Sequence, residues 1–457
     1  MTGTRPIRVS FLIDSLSYAG TEMQLLALIQ SLDRSRVQPS LVLLNGTLAE
    51  SQSLEPRDCP ILRLGLTSFR NLPATARAVT RLARFWKRQH VDVVQTYFLD
   101  STYFGVPIAR ALGIRRVVRV RNNLGHWLTP THRGLGRFIG RIVDATITNS
   151  QAGHDALRAA EGLAAEKLVL LENGVDVDRF AKLDPPRRDN GVTIGVMANL
   201  RPVKGVDVFI RAAKQLILGN SGQHISDTIT LPLPSGFLYP PSDPHAPFCF
   251  LPRLFGPLPP CGGGLGWGVE PSRASTPHPI TPPPGGRGPE GCGRGLVSFG
   301  SLQGNSDRET EVKFLIAGDG EQRAELERLV DQLDLSDHVT FLGRIRNVTS
   351  FLTQIDIGVV PSHAEGMSNA LLEFMASGRP VVATDVGANA ELLGHGSRGL
   401  LVPPGDEIAL ATAINQLIVD EPLAARLAAS ARDYVQTYFD RGEMCRRFEE
   451  FYERLCA

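Results

Sequence analysis

The stretch Glu365-Gly-Met-Ser-Asn-Ala-Leu-Leu-Glu373 follows an apolar run, residues 355–360, that has the length and composition of a buried strand. Its first glutamate falls in the loop after that strand, and its second falls inside the helix that the apolar pattern then predicts. At roughly 100° per residue, the large apolar residues of this helix share one broad arc, and Glu373 lies on the opposite arc. Two carboxylates at a strand-to-helix junction favour a site that holds sugar hydroxyls. A solvated helix glutamate is the alternative for Glu373.

Short β-branched runs alternate with helical patterns on both sides of this stretch. The strand-like runs are residues 8–13, 39–44, 91–95, 116–120 and 145–148 in the first half, and 192–197, 312–317, 339–341, 355–360 and 380–383 in the second. This alternation predicts an α/β protein with two parallel, doubly wound sheets in tandem and a cleft between them. Ligands of such sheets bind beyond the carboxyl ends of the strands. The residues expected there are Gly20, Arg201, Gly318 and Glu365.

Composition marks two breaks in this alternation. Residues 184–191 begin Asp-Pro-Pro-Arg-Arg-Asp-Asn and predict a linker between a first domain, residues 1–183, and a second domain, residues 192–440. Residues 219–305 are crowded with proline and glycine and show no sustained period, which predicts a disordered insertion in the second domain. An artefact of the gene model and a folded accessory element are the alternatives. Residues 441–457 predict a final helix, and its return to the first domain is left open.

Length, charge and cysteine spacing bound the class of protein. The chain has 457 residues and a formal net charge of +1, so we expect more than one domain and find no argument for a nucleic-acid partner. Six cysteines without a C-x-x-C pair or zinc-like spacing predict free thiols. The first residues are polar and no run is long enough to span a bilayer, so we expect a cytoplasmic protein.

Further motifs accompany the two glutamates. They are Glu172-Asn-Gly-Val-Asp-Val-Asp-Arg-Phe180, Asn199-Leu-Arg-Pro-Val-Lys-Gly205, Ile316-Ala-Gly-Asp-Gly-Glu321, Pro361-Ser-His-Ala-Glu-Gly366 and Ala376-Ser-Gly-Arg-Pro-Val-Val-Ala-Thr-Asp385-Val-Gly-Ala-Asn-Ala-Glu391. In order and spacing the chain resembles the family-four retaining glycosyltransferases of GT-B fold (glycosyl transferases group 1), with their E-x7-E motif. The resemblance covers nearly the whole chain except residues 219–305. It implies two Rossmann-like domains that face a cleft, with the acceptor on the first domain and the donor on the second.

The resemblance assigns the diphosphate of a nucleoside-diphosphate sugar to Arg201 and Lys204. A guanidinium fork and an ammonium suit phosphate oxygens, and Lys204 is expected to open a helix. Two surface cations near a helix start are the alternative. The resemblance also implies that Glu365 contacts hydroxyls of the donor sugar and that Glu373 binds the nucleotide ribose. Helix-start amides and glycine positions complete the expected donor site: Gly20, Gly318, Gly366, Met367, Ser368 and Asn369.

The acceptor side departs from the family pattern. In Asp14-Ser-Leu-Ser-Tyr-Ala-Gly-Thr-Glu22, which resembles the family's glycine loop, Ala19-Gly20 replaces a glycine pair. Gln95-Thr-Tyr97 stands where many relatives have two histidines, and Arg121-Asn-Asn-Leu-Gly-His126 stands where one histidine is common. We expect acceptor or sugar contacts from Arg121, Asn122 and His126. A loop residue with only structural bonds is the alternative for each of them.

Metal and membrane signals are weaker. Asp176-Val-Asp178 is formally the D-x-D string by which other glycosyltransferases hold a divalent metal, but it falls inside a family turn, so we expect no metal and no cofactor besides the donor substrate. The helix predicted over residues 72–89 carries five basic side chains beside an apolar face. Such a helix suits peripheral contact with anionic lipid at the inner face of a membrane, although a solvated face of an ordinary helix gives the same pattern.

These observations predict a metal-independent, retaining glycosyltransferase. It would move a hexosyl or related group from a nucleoside-diphosphate sugar to a glycan or lipid-linked acceptor in cell-surface or extracellular polysaccharide synthesis. The resemblance implies a same-face displacement in which the departing phosphate helps to deprotonate the acceptor, so positioned charge matters more than a general base. Two alternatives stay open: a sugar-nucleotide epimerase of GT-B-like fold, and an inactive sugar-nucleotide-binding protein.

Overall fold

A computed structural model describes residues 5–45, 52–122, 129–181, 183, 191–220 and 311–457. The predicted linker lies outside the described residues except for Gly191, and the candidate acceptor residue His126 lies outside them as well. The predicted insertion began at residue 219, but the helix before it extends to Asn220, so its first two residues are helical. The rest of residues 219–305 lies outside the described part of the chain.

In the described part of the chain the first sheet has seven strands, and every pairing among them is parallel. The strands are β1 (Ile7–Ile13), β2 (Val37–Leu43), β3 (Ile61–Arg63), β4 (Val93–Thr96), β5 (Arg116–Val120), β6 (Ala145–Thr148) and β7 (Leu168–Leu170). The helices that accompany them are α1 (Gly20–Ser31), α2 (Leu72–Gln89), α3 (Leu99–Ala111), α4 (Pro130–Ile142), α5 (Gln151–Glu161) and α6 (Val177–Ala181). The strand order β3-β2-β1-β4-β5-β6-β7 reverses direction between β1 and β4.

The described residues of the second sheet form six strands, again all parallel, in the order β10-β9-β8-β11-β12-β13. The strands are β8 (Val192–Met197), β9 (Val312–Ala317), β10 (Val339–Gly343), β11 (Ile357–Val360), β12 (Val381–Thr384) and β13 (Leu400–Val402). The helices are α7 (Val206–Asn220), α8 (Arg323–Gln332), α9 (Val348–Leu352), α10 (Asn369–Ala376), α11 (Asn389–Leu392), α12 (Glu407–Val419), α13 (Glu421–Tyr438) and α14 (Arg441–Cys456). The order reverses between β8 and β11, so the predicted pair of doubly wound parallel sheets is confirmed.

Each sheet is covered by helices on both faces, as expected for strands that are apolar on both sides. In the first domain α2, α3 and α4 pack on one face and α1 packs on the other; in the second, α7 and α12 pack on one face and α10 and α13 on the other. Among the described residues, no single helix is long and apolar enough to cross a membrane. Within the same described ranges, one pair of helices, α12 and α13, has the length and apolar composition of a span when taken together, but the pair is bent by 101°.

The last helix, α14, packs against α1 and β1 of the first domain. Phe448, Phe451 and Tyr452 insert among the apolar side chains beneath that sheet, and Tyr452 is fully buried. Its hydroxyl donates to Gln95 Oε1 at 2.9 Å, and Gln95 Nε2 donates to Tyr97 Oη at 2.7 Å. The carboxyl end of the chain therefore completes the core of the amino-terminal domain.

Replacing Tyr452 by phenylalanine should lower the melting temperature by several degrees. The buried Gln95 carbonyl oxygen loses its donor, and an unpaired buried polar group costs about 1–3 kcal/mol. Differential scanning fluorimetry measures the change. Tyr438→Phe removes a hydroxyl from a side chain that is 52% exposed and serves as the matched control. Equal melting temperatures for the two variants would show that the Tyr452–Gln95 bond contributes nothing.

Candidate functional site

A cleft of about 1480 Å³ is lined by loops that follow the carboxyl ends of strands in both sheets. Its second-domain lining includes Arg201 beyond β8, Gly318 beyond β9 and Glu365 beyond β11. Because β8 and β11 are neighbours at the point where the strand order reverses, their loops diverge and leave the opening in which ligands of such folds bind. The donor-side residues predicted from the sequence meet in this opening.

Lys204 and Glu365 form the central ion pair of the cleft. Lys204 Nζ lies 2.6 Å from Glu365 Oε1, which also accepts a hydrogen bond from Ser362 Oγ at 2.8 Å. The Glu365 side chain is only 9% exposed, whereas that of Lys204 keeps 27%. The charge of the carboxylate is thus compensated where water is largely excluded.

Lys204 does not open a helix, contrary to the sequence prediction. It ends a 3-10 turn, Pro202–Lys204, and Gly205 then adopts a left-handed backbone with φ +60° before α7 begins at Val206. The left-handed residue separates the turn from the helix. Arg201 precedes the turn and is exposed at the cleft surface.

Helix α10 starts two residues later than the sequence suggested. Ser368 is its N-cap, with Oγ accepting from the Leu371 amide at 3.3 Å, and Asn369 is its first helical residue. Met367 and Ser368 therefore precede the helix, although all three residues line the cleft. The positive end of the α10 dipole still points toward the bottom of the cleft, where it favours an anion.

Gly366 is held in close contact with the first domain. A Cβ atom at this position would lie 2.2 Å from the main-chain oxygen of Asn122, so any larger residue would push the loop away from β5. The carbonyl of Gly366 accepts from the Ala388 amide at 3.0 Å, which ties the same loop to the α11 region. Gly318 lies at the end of β9, and its amide donates to Gly343 O at 2.8 Å.

Glu373 lies on α10 and borders the cleft, half-buried. Burial raises the pKa of this carboxyl from 4.5 to about 7, while the positive charges of Arg179 and Arg441 oppose the shift. Both arginines have other partners: Arg179 Nε donates to Thr349 Oγ1 at 2.9 Å, and Arg441 pairs with Asp176 at 3.3 Å. Glu373 can therefore change its charge near neutral pH.

The Asp-x-Asp string is divided between two environments. Asp176 Oδ1 accepts from the amide of Arg179 at 3.1 Å, and Oδ2 faces Arg441, whereas Asp178 is exposed on α6. Within the described ranges, no group of three or more His, Cys, Asp or Glu side chains is arranged to hold a metal ion. Independence from metal stays a prediction.

On the acceptor side, Arg121 and Asn122 follow β5 and line the cleft. Arg121 is 6% exposed, and its Nη1 lies 3.5 Å from Glu161 Oε1. Glu161 also pairs with Arg119, whose guanidinium donates to Gly136 O at 2.9 Å. This buried network sets the direction of Arg121. Its role toward an acceptor stays a prediction, as does that of Asn122.

Sequence reasoning missed several polar residues on the first-domain side. Asp14, directly after β1, accepts from the amide of Ser101 at 2.8 Å and so caps α3 from another strand. Glu22 on α1 is 8% exposed and accepts from Ser17 Oγ at 2.8 Å. Burial raises the pKa of both carboxyls, and the charge of Arg201 opposes the rise for Glu22. A search for polar residues just after each predicted strand would have found Asp14.

Two family models match the chain, one in each half. Residues 18–179 match Glycosyltransferase Family 4, and residues 299–420 match Glycosyl transferases group 1. The chain carries both domains of a family-four glycosyltransferase. The resemblance seen in the sequence motifs is confirmed at this level.

Curated relatives of this family-four chain align over part of their length. N-acetyl-alpha-D-glucosaminyl L-malate synthase of Bacillus anthracis is 34% identical over 144 residues, which are 32% of this chain and 38% of that protein. The lipopolysaccharide core biosynthesis glycosyltransferase LpsD of Rhizobium meliloti is 32% identical over 151 residues, 33% of this chain and 44% of that protein. The aligned segments thus span less than half of these relatives.

Solved structures match nearly the whole of the family-four chain. HepE of Anabaena, crystallised with UDP and glucose, gives a TM-score of 0.69 at 19% identity over 98% of this chain and 99% of that one. Sucrose-phosphate synthase of Thermosynechococcus elongatus gives 0.67 at 17% identity, covering 98% and 99%. At these identities the likeness establishes the GT-B fold, as predicted.

The free energy of unfolding of this family-four protein should depend on pH because Glu373 titrates. Its native pKa of about 7 exceeds the ordinary 4.5, so the native state holds the proton more tightly than the unfolded state. The stabilisation is complete below about pH 4.5 and is lost as the pH rises through about 7. The melting temperature of the wild type, measured relative to Glu373→Gln, should therefore fall across this window and then level off.

The measurement is a paired series of thermal melts from acidic to alkaline pH. Glu325→Gln, which removes an exposed carboxylate on α8, is the matched control and should follow the wild type across the window. A constant difference between wild type and Glu373→Gln at every pH would mean that Glu373 titrates alike in the folded and unfolded chains.

Proposed function

We propose that this protein transfers a sugar from a nucleoside-diphosphate sugar to a glycan or lipid-linked acceptor with retention of anomeric configuration and without a metal. The observation that carries the proposal is the meeting of Arg201, the Lys204–Glu365 pair and the start of α10 at the switch point of the second sheet. Cations and a helix amino terminus at one point suit a diphosphate. Carboxylates beside them suit the hydroxyls of a sugar and a ribose.

The comparisons support this donor class. HepE of Anabaena was crystallised with UDP and glucose and, in another structure, with UDP-glucose. LpsD of Rhizobium meliloti is described as a lipopolysaccharide core biosynthesis glycosyltransferase, which supports a glycan acceptor and a role in cell-surface polysaccharide synthesis.

The proposed reaction uses charge that is already in place. As the anomeric C–O bond breaks, negative charge grows on the departing diphosphate, and Arg201, Lys204 and the α10 amides neutralise it. Lys204 pairs with Glu365 in this structure, so a bound diphosphate would draw the ammonium toward itself and release one Glu365 oxygen to accept from a sugar hydroxyl. The departing phosphate takes the proton of the attacking acceptor hydroxyl, and no side chain has to act as nucleophile.

A panel of nucleoside-diphosphate sugars, assayed by thermal shift, tests the donor class. At least one member should raise the melting temperature, because a ligand that binds only the native state stabilises it by RT ln(1 + [L]/Kd). With that donor, Arg201→Ala and Lys204→Ala should each lower kcat/KM by at least about tenfold, which corresponds to about 1.4 kcal/mol at the transition state.

Matched controls are Arg328→Ala and Lys313→Ala, which truncate exposed cations on α8 and β9 outside the cleft. They should behave as the wild type. Wild-type kinetics in the two cleft variants would remove the diphosphate clamp from the proposal. Donor binding without turnover by any acceptor would select the inactive binding protein, and isomerisation of the donor without an acceptor would select the epimerase.

The anomeric configuration of the product tests the mechanism separately. NMR of the product formed in excess EDTA should show the configuration of the donor at the new linkage, at an unchanged rate, because the proposed clamp consists of side-chain cations and amides. An inverted product would exclude the same-face displacement. A rate that collapses in EDTA and returns with Mg²⁺ or Mn²⁺ would contradict metal independence and direct attention to Asp176.

Contact with an anionic membrane surface stays a prediction. Helix α2 directs Leu82 and Trp86 into the core, where Trp86 Nε1 donates to Ser10 Oγ at 2.9 Å, so its apolar face is already covered. Its exposed face consists largely of arginine and lysine, and α4 on the same side of the sheet exposes Phe138 (54%) among three arginines. What α2 offers to a membrane is therefore mainly charge, together with Leu72 at its first position, which is 74% exposed.

A further inference from the structure

The side chain of Asn369 makes three hydrogen bonds to the first domain. Its Nδ2 donates to Gly20 O at 3.0 Å, and its Oδ1 accepts from Asn173 Nδ2 at 2.7 Å and from Gln24 Nε2 at 3.2 Å. Asn369 is the first residue of α10, whereas Gly20 and Gln24 belong to α1. One amide side chain thus joins the helix beneath the donor site to the helix that follows the glycine loop.

The partners of Asn369 are fixed in turn by their own contacts. Gln24 bonds both main-chain groups of Gly174: its Nε2 donates to the carbonyl at 2.9 Å, and its Oε1 accepts from the amide at 3.2 Å. Asn173, 8% exposed, accepts from Asn149 Nδ2 at 3.4 Å. Asn149 directly follows β6, so the hydrogen bonds run from the end of a strand in the first sheet to the start of α10.

Gly20 allows α1 to approach Asn369 this closely. A Cβ atom on Gly20 would lie 2.8 Å from Asn369 Nδ2, so a larger residue would separate the two helices. The contact with Asn369 in the opposite domain is therefore one structural reason for glycine at position 20.

Capping of α10 does not depend on Asn369. Ser368 supplies the N-cap hydrogen bond, and Asn369 has helical geometry as the first residue after it. Removing the Asn369 side chain therefore leaves the helix start, the amides beneath the donor site and Glu365 in place. The interdomain bonds are the specific contribution of this amide.

We propose that Asn369 is a positioning residue, which holds the start of α10 against Gly20 and Gln24 so that the donor site and the glycine loop are aligned for transfer. The inference rests on the proposed function. Loss of the Asn369 side chain leaves the main-chain contacts to the diphosphate intact but lets the glycine loop move away from the donor. The effect falls on kcat, because alignment of the reacting groups is needed at the transition state rather than for donor binding.

Asn369→Ala in the full chain tests the proposal in two ways. With the donor selected by the panel, kcat should fall at least about tenfold while the donor KM changes less than about twofold. Without any ligand, hydrogen exchange over residues 15–24 should become faster. Asn369→Asp keeps the acceptor for Asn173 and Gln24 but sets a carboxylate oxygen against Gly20 O in place of the donor, so exchange over residues 15–24 should also be faster than in the wild type.

Two further variants complete the experiment. Gln24→Ala removes the same contact from the side of the first domain, so it should also lower kcat and speed exchange over residues 15–24. It tests the proposal if Asn369→Ala fails to fold. Gln416→Ala, which truncates an exposed side-chain amide on α12 outside the cleft, should change neither kcat nor the exchange over residues 15–24. Unchanged kcat and exchange in both cleft variants overturn the proposal, and so does a loss of activity that lies entirely in KM.

The exchange measurement separates this inference from the proposed function. If the wild type transfers no sugar from any donor, the proposed function fails, but faster exchange over residues 15–24 in Asn369→Ala and Gln24→Ala would still support the interdomain contact. If transfer is normal in the wild type and exchange is unchanged in both variants, only the positioning role is lost.

Discussion

Parallel strands all end at one edge of their sheet, and this constraint brings together the cleft residues that directly follow strands. The strand order reverses between β8 and β11. Arg201 and Lys204 follow β8 on one side of this switch point, and Glu365 follows β11 on the other side. The 2.6 Å contact between Lys204 and Glu365 follows from that topology, although the two residues are 161 positions apart in the chain. The first sheet reverses between β1 and β4 in the same way, and Asp14 after β1 caps α3 after β4.

Burial and the neighbouring polar and charged groups shift the pKa of three cleft carboxyls in opposite directions. Burial raises the pKa of Asp14, Glu22 and Glu373, and the partners that lower it again are serine hydroxyls and arginines. Each carboxylate has thus given up water for a small number of fixed protein partners. A ligand that supplies hydroxyl groups to these carboxylates would replace part of the hydration that they have lost, and its phosphate oxygens would pair with the more exposed cations Arg201 and Lys204. This is the physical reason that the geometry suits a sugar linked to a diphosphate.

The sequence predicted long features better than contacts. Strands β5, β6, β8 and β9 have the predicted bounds because their β-branched runs are bounded by clear breaks. Strands β3, β7 and β13, of three residues each, were missed because so short a run shows no period. The sequence pattern predicts Lys204 at the start of a helix because the pattern continues into α7, whereas the left-handed Gly205 separates Lys204 from that helix. The bonds of Asn369 to α1 were beyond prediction, since no local pattern encodes a contact between residues 349 positions apart.

Two of the contacts that join the domains differ in their chemistry. Helix α14 continues from the second domain and buries Phe448, Phe451 and Tyr452 in the first, so separating it would expose a large apolar area to water. Asn369 makes only hydrogen bonds between neutral groups, which lose little when water replaces them. Breaking the apolar contact of α14 therefore costs more free energy than breaking the hydrogen bonds of Asn369.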